Sequence, residues 1–480
     1  MYLYPAMSRQ RIIVTDTNWA PDLSQFPGPK YLALSRALRD AIRSGDLPAN
    51  SQLPTVRDLA WRLQLTPGTV ARAYQLTTQE GLLAATVGRG TFVAAQSPRL
   101  GPTQPLYAER ITGGATGLVD LRAPQVPDMG QGVAFRQVLL EMADDTGHGW
   151  LDYTSQMGES ALRAEVVAWM GDRILGPIGP EDVALTHGGQ NAIHLIFDCC
   201  LRGERPVVLI EELAYPGFRY AARAARAEVV QVEIDEHGIV PAALEAACRR
   251  HGAQVLCLTT EAQNPTTGRM PVKRRQEIAE IARRYDVQIL EDDCYSVAAS
   301  EIPSLRALAP ERVWLVGSVS KTISAALRFG YVICPAGMGE AGRLTAQHGF
   351  FALSRPVADL MLRLFRSGDA ARIRERVQTE FAARQQILVN HLGAFDLGWQ
   401  PGVPFAWLRL PVGWRASTFL RTAEARGVLV RSADEYAVVH GRAPNAVRIA
   451  IAAGLPREAF EAAMRTLAEL LAKPPSDLLV

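Results

Sequence analysis

The chain has 480 residues, room for about three domains at ~150 residues each. With 48% hydrophobic and 21% charged residues it has a globular composition, and no uninterrupted apolar stretch approaches the ~18 to 20 residues of a membrane span. The net charge of +2 hides a bias: residues 1–99 carry eleven Lys and Arg against six Asp and Glu, leaving −3 for the rest, so a basic segment suited to an anionic partner precedes a mildly acidic body.

In chain order, the start MYLYPAMSRQRIIV has no charged region followed by a long apolar one, and a cytoplasmic protein is expected. Residues 30–44 place Leu34, Leu38, Ala41 and Ile42 on one helical face, and Gly45 ends the helix. A second helix is predicted from Pro54 to Leu63, with Pro54 in its first turn. Thr66 can cap a third helix that opens on Pro67 and runs through Val70, Ala73, Tyr74 and Thr77. LLAATVGRGTFVA then reads as two short strands around Gly88-Arg89-Gly90. Helix, helix, turn, helix, hairpin is a winged helix-turn-helix pattern. Its third helix brings Thr66 and Thr69 to a major groove, with Arg72 one turn on, and Arg89 at the wing tip can reach a phosphate or a minor groove. The pattern alone also fits a three-helix protein-binding module.

The segment LPTVRDLAWRLQLTPGTVARAYQLTTQEGLLAATVGRGTFV resembles the GntR-type DNA-binding domain, with its LPS-x-R-x-LA, TV-x-x-AY, EGL and G-x-GTFV blocks. The resemblance implies DNA contacts at Arg57, Thr66, Thr69, Arg72 and Arg89. Pro67 stands where many members carry a DNA-contacting arginine, and Thr55 replaces the usual serine. The DNA-binding domain is expected over 25–95, and a linker rich in Pro, Gly, Ser and Thr over 96–118.

Beyond residue 119 strands and helices alternate. Strand-like runs are Pro206–Ile210, Val229–Ile234, Gln254–Thr259, Val287–Glu291 and Val313–Val316; helices are predicted over Ser160–Ile174, Pro241–His251 and Lys273–Tyr285. The alternation predicts an α/β fold with a mainly parallel sheet and ligands beyond the C-terminal strand ends.

Only four lysines occur: Lys30, Lys273, Lys321 and Lys473. Lys321, in Gly317-Ser318-Val319-Ser320-Lys321-Thr322 after a predicted strand, is uncharged in its surroundings until Arg328, as a nucleophilic amine requires. Ser318, Ser320 and Arg328 complement a phosphate, and so do the amides of Gly188-Gly189-Gln190 at a helix start. In Glu291-Asp292-Asp293-Cys294-Tyr295 an aspartate can pair with a protonated pyridine nitrogen and the tyrosine with a ring oxygen. Asn264 can donate to the same oxygen, and Tyr215 offers a stacking face. The six cysteines form no C-x-x-C pair and lie near no histidine at metal-ligand spacing; reduced thiols packed in the interior are expected, with no zinc site or disulfide framework.

In this order the motifs resemble the class I/II aminotransferase domain, a pyridoxal 5′-phosphate fold of type I, over about residues 119–470, most specifically in S-x-S-K followed by L-R-x-G-Y. The resemblance implies a larger part over about 140–335 and a smaller C-terminal α+β part over 336–472 with the N-terminal stretch. It makes Lys321 the Schiff-base lysine and pairs Asp292 with the pyridine nitrogen. It puts Tyr295 and Asn264 on the ring oxygen and Tyr215 on the ring face. Gly189, Gln190, Ser318, Ser320 and Arg328 serve the phosphate, and Tyr153 reaches the other subunit's phosphate in a homodimer. Arg448 clamps an α-carboxylate, or another anion such as a sulfonate. Ser324-Ala325-Ala326 lacks the proline many relatives carry there.

A GntR-type domain joined to an aminotransferase domain is the build of the MocR family of regulators. That resemblance implies a pyridoxal phosphate-dependent regulator of a DNA operator with direct or inverted half-sites. It implies an amino-acid-like effector, or the cofactor itself, sensed through external aldimine formation. An active aminotransferase with an accessory DNA-binding domain is the alternative.

Overall fold

The first helix, α1, spans Lys30–Ser44 in the computed structural model, which describes residues 19–26, 28–86, 90–94, 118–145, 158–295, 298–438, 441 and 443–473. It buries Leu34, Leu38, Ala41 and Ile42, and Gly45 ends it in the left-handed region at φ 89°. Helix α2 spans Val56–Arg62, later than predicted. Thr55 takes the cap instead of Pro54 joining the first turn: its hydroxyl accepts the Asp58 amide at 3.2 Å. Helix α3 spans Pro67–Gln79, capped by Thr66. Strands β1 (Leu83–Thr86) and β2 (Gly90–Val93) pair antiparallel, Leu83 opposite Val93. Leu38, Leu59, Val70, Tyr74, Leu83 and Val93 share one core. The buried Tyr74 hydroxyl donates to the Pro54 carbonyl at 2.9 Å, tying α3 to the segment before α2. This winged helix-turn-helix lies in the first of two compact units, Met1–Thr103 and Gln104–Val480.

The second unit is built on seven strands: β3 (Val183–Thr186), β4 (Val207–Glu211), β5 (Glu228–Val232), β6 (Val255–Leu258), β7 (Gln288–Asp292), β8 (Val313–Ser318) and β9 (Gly330–Ile333). Their order is β3-β9-β8-β7-β6-β4-β5. All pairs are parallel except the two made by β9. Every residue of β4 and β6 is buried, as in a sheet covered on both faces. Helices α4 (Gly189–Cys200), α5 (Pro216–Ala224), α6 (Pro241–His251) and α7 (Val272–Arg284) follow strands. The five predicted strands are present, with ends displaced by at most two residues. Strands β3 and β9, each four buried residues, were not predicted. The predicted helix from Ser160 stops at Trp169 rather than Ile174, and Arg173 instead bonds Asp293 at 3.0 Å.

A smaller antiparallel sheet follows: β10 (Leu397–Gly398), β11 (Phe405–Arg409), β12 (Arg431–Ser432) and β13 (Ala446–Ala450), in the order β10-β11-β13-β12. Residues Val119–Asp120 pair in parallel with Val428–Leu429, so the stretch that opens the described part of this unit is stitched to its C-terminal part. This is the fold of type I pyridoxal phosphate transferases, with the predicted winged helix-turn-helix ahead of it. Among the described residues no helix is long and apolar enough to cross a membrane, and no cluster of His, Cys, Asp or Glu can hold a metal.

Candidate functional site

Most of the polar residues singled out above gather at the C-terminal ends of β3, β4, β6, β7 and β8. Ser318 ends β8, and its hydroxyl donates to Ser320 Oγ at 2.9 Å. Ser320 and Lys321 follow half-buried, and Lys321 Nζ lies 5.7 Å from the centre of the Tyr295 ring. Asp292 ends β7 and is buried; its carboxylate accepts the Cys294 amide at 2.9 Å. Burial pushes that carboxyl above its usual range, and the amide bond opposes this. Its neighbour Asp293 is held by Arg173, at 3.0 Å.

Beyond β3 the chain passes through Gly188 into α4, whose first residues are Gly189 and Gln190. Gly188 has φ 84°, and a Cβ on it would lie 2.7 Å from Arg328 Nη2. Arg328, itself at φ 48°, donates to the His187 carbonyl at 3.2 Å. The guanidinium thus closes on amides at a helix N-terminus, a setting that favours an anion. Gln190 Nε2 donates to the Gly217 carbonyl at 3.2 Å, while its Oε1 is buried without a partner. Tyr215 caps α5, is half-buried, and stands edge-on to Phe218; Asp292 and Tyr295 are among the groups that act on it.

Arg448 enters from the smaller sheet, in β13. Only 3% exposed, it donates from Nη1 to Asn264 Oδ1 at 2.7 Å and from Nη2 to the Arg122 carbonyl at 3.1 Å. Asn264 Nδ2 and Arg448 Nε are buried without partners. Among the described residues no carboxylate lies within ion-pair distance of Arg448. Both oxygens that accept from it are neutral, and although Glu435 favours its charge from beyond ion-pair distance, an arriving anion would offset the cost of burying the guanidinium.

The GntR-like positions fall on α2 and α3. Arg57, Thr66 and Arg72 are exposed and Thr69 is half-buried. The Thr66 hydroxyl is engaged in capping, 2.9 Å from Thr69 Oγ1, and Arg72 stacks 4.2 Å over Tyr31. Arg89 and Tyr153 lie outside the described residues. The sequence reading missed Tyr436, whose ring centre is 5.2 Å from Arg448 Cζ, and the buried Glu211 at the end of β4. Neither sits in a segment whose pattern marks it.

Residues 116–467 match the model of aminotransferase class I and II, and residues 30–93 match that of bacterial regulatory proteins of the gntR family. The chain therefore belongs to the aminotransferase class I and II family. With a gntR domain ahead of it, the architecture is that of the MocR-type regulators. The chain is 27% identical to YdeF of Bacillus subtilis, named as an uncharacterized HTH-type transcriptional regulator, over 95% of this chain and 97% of that one. It is 27% identical to the HTH-type pyridoxine biosynthesis transcriptional regulator PdxR of Corynebacterium glutamicum, over 75% and 78%. LysN, the α-aminoadipate aminotransferase of Thermus thermophilus complexed with N-(5′-phosphopyridoxyl)-L-leucine, aligns with TM-score 0.65 and 25% identity, over 74% of this chain and 92% of that one.

Proposed function

We propose that this chain is a DNA-binding transcription regulator whose second unit holds pyridoxal 5′-phosphate and senses an amino-acid-like effector. The residues suit that cofactor. A buried carboxyl raised by burial stands at the end of β7, where a cationic ring nitrogen would stabilise its ionised form. Asn264 Nδ2 is an unsatisfied buried donor for a ring oxygen. Gly188 lets Arg328 close on a helix N-terminus, since a Cβ on it would lie 2.7 Å from Arg328 Nη2, and a guanidinium beside free helix amides suits a phosphate. When bound, the cofactor supplies an aldehyde that condenses with amines.

In this reading Lys321 supplies the protein's own amine, and Asp292 keeps a proton on the ring nitrogen. Tyr295 and Asn264 hydrogen-bond the ring oxygen, and Tyr215 covers the ring. Gly189, Gln190, Ser318, Ser320 and Arg328 hold the phosphate, and Tyr153 completes it across a homodimer. Arg448 takes the effector's carboxylate by a charge-assisted fork. Arg57, Thr66, Thr69, Arg72 and Arg89 contact the operator. A signal then needs only unequal effector affinity for two conformations of the protein.

The observation that carries this reading is the buried Arg448, unmatched by any described carboxylate, in a chain that also has a gntR-type domain. The test combines absorbance and DNA binding. Protein loaded with pyridoxal phosphate is titrated with the standard amino acids, and anisotropy is followed on a labelled fragment from upstream of its own coding sequence. A visible band that shifts with one amino acid, which also changes DNA affinity, is expected. Sustained keto-acid release with no amino acid altering DNA binding establishes the aminotransferase instead. Protein that stays colourless with added cofactor overturns the cofactor assignment.

A further inference from the structure

Tyr436 follows the short turn Ala433–Glu435, is 2% exposed, and has a buried hydroxyl without a hydrogen-bond partner. Such an atom is rare in a folded protein, because removing a hydroxyl from water without replacing its bonds is costly. The guanidinium beside it has the complementary defect: Arg448 Nε is also buried without a partner. The charged and polar groups around the phenol are Arg448, Arg431, Tyr295 and Glu435. Glu435 pairs with Arg431 at 2.6 Å and lies outside ion-pair distance of Arg448, whose charge it still favours through space. The phenol is protonated and a donor at neutral pH, and burial raises its ionisation further. Two unmet donors, one of them charged, thus belong to neighbouring side chains, Arg448 Cζ lying 5.2 Å from the centre of the Tyr436 ring, and Tyr295, which stands beside Lys321, acts on both. The group that satisfies both is an anion with two acceptor oxygens.

We propose that Tyr436 is a specificity-determining residue for the effector, its hydroxyl and Arg448 Nε forming a donor pair for the effector's carboxylate. This rests on the reading of the chain as a pyridoxal phosphate-bearing amine sensor. It adds a second donor to the contact assigned to Arg448: the phenol sharpens the preference for a carboxylate over a bare amine.

The full-length protein loaded with pyridoxal phosphate is compared with Tyr436→Phe, using L-alanine and ethylamine, which differ by the carboxylate. The concentration that half-shifts the visible band is read for each. In the variant the L-alanine midpoint rises about tenfold, the loss expected for one hydrogen bond to a charged group, and the ethylamine midpoint stays put. The melting temperature of the variant without amine is not lowered, because the hydroxyl has no partner to lose. Equal midpoints for L-alanine in the two proteins overturn the proposal, as does an equal rise for both amines or a lower melting temperature. A parent protein that shifts with ethylamine no less readily than with L-alanine overturns the donor pair while leaving the amine sensor standing. A parent protein without a visible band removes the underlying reading itself.

Discussion

Glu211 shows what burial does to a single side chain. It is fully buried at the end of β4, its Oε2 accepting the Thr259 amide at 3.2 Å and hydroxyl at 3.1 Å, while Oε1 has no partner. Burial pushes its carboxyl up to about 8, and neighbouring Asp292 adds to the rise. The folded state therefore binds a proton that the unfolded chain releases near its ordinary value of 4.5. Stability from this group is full at low pH and is lost as pH rises through that window, by at most ~1.4 kcal/mol per pH unit. Glu211→Gln should flatten the fall in melting temperature between pH ~5 and ~8, and parallel slopes for the two proteins would count against it. Residues were unequally legible at this scale. Lys321 stands out in the sequence because four lysines leave few amines to consider. The choice between Asp292 and Asp293 needed the resemblance, since adjacent aspartates look alike in one dimension. In the fold Arg173 occupies Asp293, an ion pair across 120 positions that no local pattern displays. Tyr436 meets Arg448 across only 12 positions, yet its lack of a hydrogen-bond partner is a property of the packed fold.

Elements were legible where local chemistry punctuates them. Gly45 stops α1, and Thr66 with Pro67 opens α3, because a left-handed glycine and a capping hydroxyl act within one turn. Helix α2 shows the competition between two start signals. Pro54 and Thr55 both suit a helix start, and Thr55 wins because its hydroxyl satisfies the Asp58 amide. Thr55→Ala should cost the helix about 1 kcal/mol, seen as roughly fivefold faster hydrogen exchange of α2 amides with those of α7 unchanged. Unchanged α2 exchange would show that the cap contributes nothing. Strands β3 and β9 escaped the reading although the equally buried β4 and β6 did not, and β9 runs antiparallel to both neighbours inside an otherwise parallel sheet.

At the scale of the whole chain, the two compact units make a separable prediction. Lys321→Ala should abolish the visible band and its response to amino acids, while anisotropy on the labelled DNA fragment still reports binding. A variant that keeps a borohydride-reducible band would place the reactive amine elsewhere. The two kinds of unit, the order of the winged helix-turn-helix and the alternation behind the parallel sheet were determined by the sequence alone. Each depends on residues close in the chain: a cap, an apolar period, a glycine turn. Only the tertiary structure decided which groups share the site and which of them lack partners. It brought Asn264 and Arg448 within 2.7 Å across 184 positions, left Arg448 Nε and the Tyr436 hydroxyl unsatisfied, and gave Asp293 to Arg173. The reason is physical: burial and hydrogen-bond satisfaction are properties of a packed neighbourhood, and packing joins residues that the chain keeps far apart.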